Sequence, residues 1–223
     1  MAAFPTLEPP RASVAAPNRP AEVAGELNSL LADRDLRVES LGPPDRWGRT
    51  PVRLFVAGNE GGIADESADV TLASAGLALA SRDGGACGVA VRAAERQARL
   101  ENLGIWADPA FAVLPADRPG QLAERAGTLA LVEGQIRSIG RTAPRIYLNF
   151  GAGRGAFSAT IARRNIPFFE KAGFSAEALT HKLVRLRGIV EMTPAPQLEL
   201  FHPDQIEIIE LKPLTGEAAA ERT

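Results

Sequence analysis

The sequence holds a single cysteine, Cys87, and two histidines, His181 and His202. A lone sulfur excludes an internal disulfide framework and any cysteine-built zinc site, because both need several ligands at defined spacing. Neither histidine has a metal-spaced partner or a neighbouring nucleophile pattern, so both read as structural or surface residues. Charge of one sign is lacking as well. Lys and Arg number 25 against 27 Asp and Glu, a formal net charge of -2, which excludes binding of nucleic acid by bulk cationic attraction and leaves only a local patch. Long apolar runs are absent: the longest, from Val70 to Ala80, is interrupted by Ser74 and Gly76 and falls short of the roughly 20 residues that span a bilayer. The opening MAAFPTLEPPRASVAAPNRP has no basic segment followed by the apolar core of about 7–15 residues that a signal peptide needs. As numbered, the chain reads as soluble, cytoplasmic and without a membrane partner; a longer upstream start would reopen export.

What is present is enough hydrophobic residue, 45% of 223, for one large domain or two of ordinary size. Residues 1–19 are rich in proline and show no hydrophobic period, so they read as loop or as the truncated start of a barrel. Val23, Leu27, Leu30 and Leu31 then share one helical face, with Pro20 in the first turn. Leu36 and Val38 alternate with charges, and Val52, Leu54 and Val56 alternate again after a turn at Gly48, predicting two strands. A helix capped near Ser67 or Asp69 is expected to bury Val70, Ala73 and Leu77 and to end at Gly76. Residues 89–103 form a stronger helix, with Val91, Ala94 and Ala98 on its inner face and a Glu95–Arg99 pair one turn apart. Together, residues 20–114 make a first domain. Prolines and charges mix over residues 115–126, which reads as a linker. Residues 127–212 then give three strands, a Phe-rich helical stretch over 165–181, and two strands, followed by a disordered tail at 213–223. That order matches an OB-type barrel, a fold often used on single-stranded nucleic acid.

In the first domain DRWGR, the strand after it, VTLASAGLALA and AERQARLENLGIWAD resemble the thermonuclease family, the staphylococcal-nuclease-like fold, over about residues 7–108. The fold implied is α+β and mainly β: a partial nuclease-type OB barrel with packed helices, followed by a second five-stranded OB-like barrel. The resemblance implies that Arg49 is catalytic, contacting the scissile phosphate and stabilising charge in its transition state. Physically, a planar guanidinium offers paired donors to two phosphoryl oxygens at once. The bland alternative is an exposed arginine at a strand entrance. Elsewhere the pattern departs from the family. LEPPR, residues 7–11, is the best match to the segment bearing the general base. Glu8 stands where a calcium-ligating aspartate would be, Pro9 replaces a threonine, and Arg11 occupies the position of the base. Arginine holds its proton too tightly for that work. No cofactor is expected, since the family's calcium ligands are not intact: Asp33, Asp35 and Asp45 are unspecific acids, and Asp45 reads as a local turn cap. The opening strands of the barrel are missing too, so either the protein begins further upstream or the site is weakly active or inactive.

In the second domain Tyr147, Phe150, Arg185 and Arg187 are candidate substrate-binding residues, with Arg137, Arg145, Arg163 and Arg164 on or beside neighbouring strands. Aromatic platforms bordered by cations stack bases and track phosphates. Equally, Tyr147, Phe150, Phe157, Phe168, Phe169 and Phe174 would fill a small barrel core while Arg185 and Arg187 face water. GAGRG, residues 151–155, imitates a phosphate cradle but continues into a strand, so it reads as a hairpin loop. Two functions remain: a phosphodiester-cleaving nuclease with an incomplete site, or a non-catalytic OB-fold module that binds single-stranded DNA or RNA or a protein partner. If Arg49 stabilises a phosphoryl transition state, Arg49→Ala lowers calcium-dependent digestion of single-stranded DNA by about 100-fold or more. Equal or absent cleavage in the variant and the parent removes the nuclease.

Overall fold

The computed structural model describes residues 24–25, 27–29, 31–50, 52–57, 66–80 and 88–209. The expectations for residues 1–19 and 213–223, and for Glu8, Pro9, Arg11 and Cys87, lie outside the described residues. Residues 24–25, 27–29 and 31 are helical, as the spacing of Val23, Leu27 and Leu31 predicts.

The two expected strands form and pair. β1 (Leu36–Ser40) runs antiparallel to β2 (Val52–Val56) with Val38 opposite Leu54, and β3 (Glu66–Ser67) adds to the other side of β2. Their alternation has unequal consequences. Val56 is 1% exposed, whereas Val38 is 59% exposed and every residue of β1 faces solvent. The stripe of β1 has no cover among the described residues, because α1 packs against β2 and no described element packs over β1.

α1 (Ala68–Ser74) starts after Ser67 and gives way to Gly76 at φ +69°. Its fully buried apolar residues are Ala68, Leu72 and Ala73, while the expected Val70 and Leu77 are half-buried. Gly76 and Gly104 meet back to back, the Ile105 N–H donating to the Gly76 carbonyl at 2.8 Å. A Cβ on either glycine would collide with the other segment's backbone, so both positions require glycine. α2 (Gly88–Leu100) follows the predicted span and buries Val91, Glu95 and Ala98.

Residues 115–126, expected as a linker, are integrated into the fold. β4 (Leu114–Pro115) pairs parallel with β5 (Leu129–Gln135), and α3 (Pro119–Ala123) sends Leu122 fully into the main core. Proline at the first turn of α3 starts that helix and does not break one. The remaining elements keep the anticipated order. β6 (Ser138–Arg141), β7 (Arg145–Asn149) and β8 (Ser158–Ala162) form an antiparallel meander. The helical stretch is two short helices, α4 (Ile166–Lys171) and α5 (Ala176–Leu179), separated at Gly173 with φ +83°. β9 (Leu183–Met192), β10 (Pro196–Leu200) and β11 (Ile206–Ile208) complete the sheet.

This mixed sheet has eight strands, ordered β4-β5-β9-β10-β8-β7-β6 with β11 on β9, against the five expected. β8 and β10 are parallel; the other long pairings are antiparallel. Its hydrogen-bonded path is not closed, but its two sides belong to one stretch of chain. The expected first strand is interrupted at Ile136 and Arg137, where it changes partner from β9 to β7. Leu148, Phe157, Phe169, Val184, Leu186 and Leu198 fill the core enclosed between these strands.

The first and second halves are joined by packing and charge. Leu79, Ala98, Ile105 and Trp106 share a cluster with Leu131 of β5. Beside it, Glu95 of α2, 1% exposed, meets Arg187 of β9, 7% exposed. Their contact is bidentate at 2.8 and 2.9 Å, and both also bind the backbone of Ala80. The anticipated Glu95–Arg99 contact is present at 3.1 Å as a third arm. Removing one member strands a buried charge. Glu95→Ala is expected to cost about 3–5 kcal/mol in urea unfolding, whereas Glu95→Leu with Arg187→Met costs much less; equal losses would remove the pairing from the account of stability.

Candidate nucleic-acid interface

Alternation along β6, β7 and β8 divides their residues between two faces. Ile139, Ile146, Leu148, Ala159 and Ile161 point to the core. Ser138, Gly140, Arg145, Tyr147, Asn149 and Thr160 therefore share the opposite face, in a register that sets Tyr147 between Gly140 and Thr160. Tyr147 is the chain's only tyrosine and is half-buried. Its ring reaches across Gly140, with Cδ2 3.9 Å from where a Cβ would stand, so no side chain at 140 lifts it off the sheet. Asn149 donates to the Ser138 hydroxyl at 3.2 Å, and Arg145 donates to the Thr160 hydroxyl at 3.4 Å while lying 3.7 Å from Glu199.

Residues 137–164 carry six arginines and no aspartate or glutamate, in a chain whose net charge is -2. The meander gathers these charges at the two ends of its strands. Arg141, Arg145, Arg163 and Arg164 lie at one end, where the Arg163 N–H donates to the Pro144 carbonyl at 2.8 Å. Arg137 and Arg154 lie at the other, where β6 begins and the 150–157 loop joins β7 to β8. Among the described residues, Arg137, Arg154 and Arg164 have no side-chain hydrogen bond or ion pair. Arg141 bonds Glu177 at 2.6 Å, but both side chains are exposed, a situation that contributes little and yields readily to a competing anion. The acid-free arginine run was the legible signal for this face. Reading arginines one at a time does not expose it.

The anticipated site residues fall in four different environments. Tyr147 is on the outer face. Phe150 is 3% exposed and packs in the core, its ring centroid 5.2 Å from that of Phe157. Arg187 is taken up by Glu95, away from bulk solvent. Arg185 is held by Glu133 at 2.7 Å and Glu207 at 3.2 Å. The alternation of β9 does put Arg185 and Arg187 opposite the core, but α2 and β11 bring carboxylates onto that surface. The 151–155 loop is the hairpin connection expected of it.

Arg49 stands apart, in the turn before β2. Asp45 accepts from the Trp47 and Arg49 N–H groups at 2.8 and 3.0 Å and from the Arg49 side chain at 2.8 Å, with Gly48 at φ +74°. Asp45 is thus the local turn cap its sequence position suggests. Bonding to the Arg49 backbone holds its carboxyl below the ordinary range, with the guanidinium adding to the effect despite opposing desolvation. The Arg49 side chain is 72% exposed and lies 4.7 Å from the Trp47 ring.

The C-terminal half keeps the order of an OB-like fold, three strands, a helical stretch and two strands, in a sheet whose hydrogen-bonded path is not closed. No family model and no curated protein matches the chain. Similar solved structures include an OBody bound to hen egg-white lysozyme, 24% identical with TM-score 0.30, covering 39% of this chain and 83% of that one. Asparaginyl-tRNA synthetase from Pyrococcus horikoshii is 22% identical with TM-score 0.29, covering 39% of this chain and 20% of that one. Aspartyl-tRNA synthetase from Entamoeba histolytica is 10% identical with TM-score 0.34, covering 48% and 23%. This chain thus spans about a fifth of those synthetases, and superpositions this loose transfer no property to it.

Burial pushes Glu207 up, but Arg185, Arg96 and Arg99 together outweigh it and hold the carboxyl below the ordinary 4.5. An acid lowered on folding stabilises above its unfolded value, and that stabilisation is lost as pH falls through the folded value. Thermal melts from about pH 6 down to about pH 3 should show Glu207→Gln with a smaller acid-driven loss than the parent; superimposable profiles would contradict the cluster's role.

Proposed function

We propose that this chain is a non-catalytic binding module for single-stranded nucleic acid, using the outward face of β6, β7 and β8. The observation that carries this reading is the placement of Arg145 and Tyr147 on the outer face of β6, β7 and β8, with Arg137, Arg154, Arg163 and Arg164 at the ends of the same strands. Five-residue strands rising about 3.4 Å per residue separate the two arginine groups by roughly 14–17 Å. Phosphates of an extended strand engage the guanidiniums at both ends, while a base stacks on the Tyr147 ring between them. Local charge answers the objection raised by the acidic whole, since attraction acts over about a Debye length and not over the net charge.

Cleavage is the second reading, and Arg49 supports it: Gly48 and Asp45 fix an exposed guanidinium in place. It ranks second because the carboxylate touching Arg49 is committed to the turn and is held ionised with low basicity, a poor proton acceptor.

Fluorescence anisotropy with a labelled single-stranded oligonucleotide tests the first reading. Affinity should fall with salt, at about 0.7 logarithmic units per decade for each phosphate neutralised. Tyr147→Ala should weaken binding by about 5- to 150-fold, the value of one stacked base, while Tyr147→Phe retains it. Absence of salt-sensitive binding, or indifference to Tyr147→Ala, would overturn the proposal and leave a protein partner as the OB-like module's target.

A further inference from the structure

β1 ends its sheet: β2 pairs along one side of it, and no described strand pairs along the other. The bonding of that pair fixes what the outer side offers. In register with the pair, the Ala57 N–H donates to the Asp35 carbonyl at 2.8 Å, so Asp35 and Ala57 are a bonded pair of the antiparallel ladder. Bonded and non-bonded pairs alternate, which makes Arg37 with Phe55 and Glu39 with Arg53 bonded pairs as well. The peptide groups of Leu36, Val38 and Ser40 consequently point away from β2, and all three residues are exposed. A row of donors and acceptors turned out of a sheet in this way is a template for another strand.

The charges of β1 select the partner. Edge charges of one sign discourage pairing, but β1 carries one of each sign, Arg37 and Glu39, on either side of Val38. Laying a second β1 antiparallel, with Val38 opposite the partner's Val38, places Arg37 opposite the partner's Glu39 and Glu39 opposite the partner's Arg37. The same register makes Val38 with Val38, and Leu36 with Ser40 in both directions, reciprocal bonded pairs, so the outward peptide groups are all used. The charged residues then fall at non-bonded positions, where facing side chains stand closest. Sliding the strands to either of the nearest bonded registers sets Arg37 against Arg37 or Glu39 against Glu39, which is unfavourable. Arg37 and Glu39 already share one face of the sheet, Arg37 lying 4.1 Å over the Phe55 ring and Glu39 lying 3.9 Å from Arg53.

We propose that β1 is a self-pairing edge, through which two copies of this chain join their small sheets into one continuous sheet about a two-fold axis at Val38. The interface is isologous, the same strand contributing both sides. Leu36 and Val38, exposed in the single chain, meet their counterparts along the seam on the face that also carries Leu54. Five paired residues cover less than the roughly 1,200 Å2 at which stable interfaces begin, so the dimer is weak and depends on concentration. This inference is independent of the nucleic-acid reading, which concerns β6, β7 and β8.

Sedimentation equilibrium of the full chain from about 10 μM to about 1 mM should show a monomer–dimer equilibrium. Val38→Pro removes an outward N–H and leaves the bonds between β1 and β2 in place, because that N–H does not face β2. It should weaken dimerisation by at least about tenfold. Arg37→Glu and Glu39→Arg should each weaken self-association by at least about fivefold, since each sets like charges opposite one another. Mixing these two variants should restore a dimer holding one copy of each, in which both charge pairs are again opposite in sign. Residues 37–39 are exposed, so each variant keeps the circular-dichroism spectrum of the parent. A monomer at every concentration, dimerisation that survives Val38→Pro, or failure of the two folded charge variants to associate on mixing would overturn the proposal.

Discussion

The architecture depends on a buried carboxylate and guanidinium. Glu95 lies on a helix from the first half of the chain and Arg187 on a strand from the second, and each is removed from water by the surface that joins the halves. A pair in this position contributes less net stability than its geometry suggests, because desolvation opposes the attraction. Its stronger effect is on arrangement. Any packing that separates the two leaves an uncompensated charge in the interior, so the helix, the Ala80 segment and β9 are held in one relation. Apolar contact of Trp106 and Ile105 with Leu131 supplies the area that the small-residue helix face lacks.

That junction also decides which surface of the OB-like sheet is free. The outer face of β5 and β9 is covered by α2 and the turns after it, and its arginines are consumed by Glu95, Glu133 and Glu207. On the outer face of β6, β7 and β8, Arg145 is held against Thr160 and Glu199, while Arg137, Arg154 and Arg164 at the ends of these strands have no side-chain partner among the described residues. Two sets of arginines with similar sequence surroundings thus acquire opposite roles, one structural and one available to anions. The proposed binding surface is what the junction leaves open.

Most strands and helices were legible because their signals are local. Alternation over residues 36–40, 52–56 and 183–192 predicted strands that formed, and Gly76 and Gly104 ended helices where left-handed backbone is needed. The misreadings also have local causes. Residues 115–126 look like a linker because proline and charge dominate them, yet Leu122 alone suffices to anchor α3 in the core. The single long strand expected from TLALVEGQIRSIG divides because its hydrogen-bonding partner changes at Ile136, and no residue type there announces the change. Likewise Phe150 and Tyr147 look equivalent in sequence. They sit three positions apart, which in an extended chain puts them on opposite faces, so one fills the core and the other lies outside.

The sequence by itself determined the period of each element, the glycine-dependent turns, and a segment of 28 residues with arginine and no acid, because these are properties of neighbours along the chain. Only the tertiary structure decided which charges are spent and which are free. Pairing of Arg187 with Glu95, or of Arg185 with Glu133 and Glu207, joins residues remote in sequence, and ionic attraction depends on separation and burial in space.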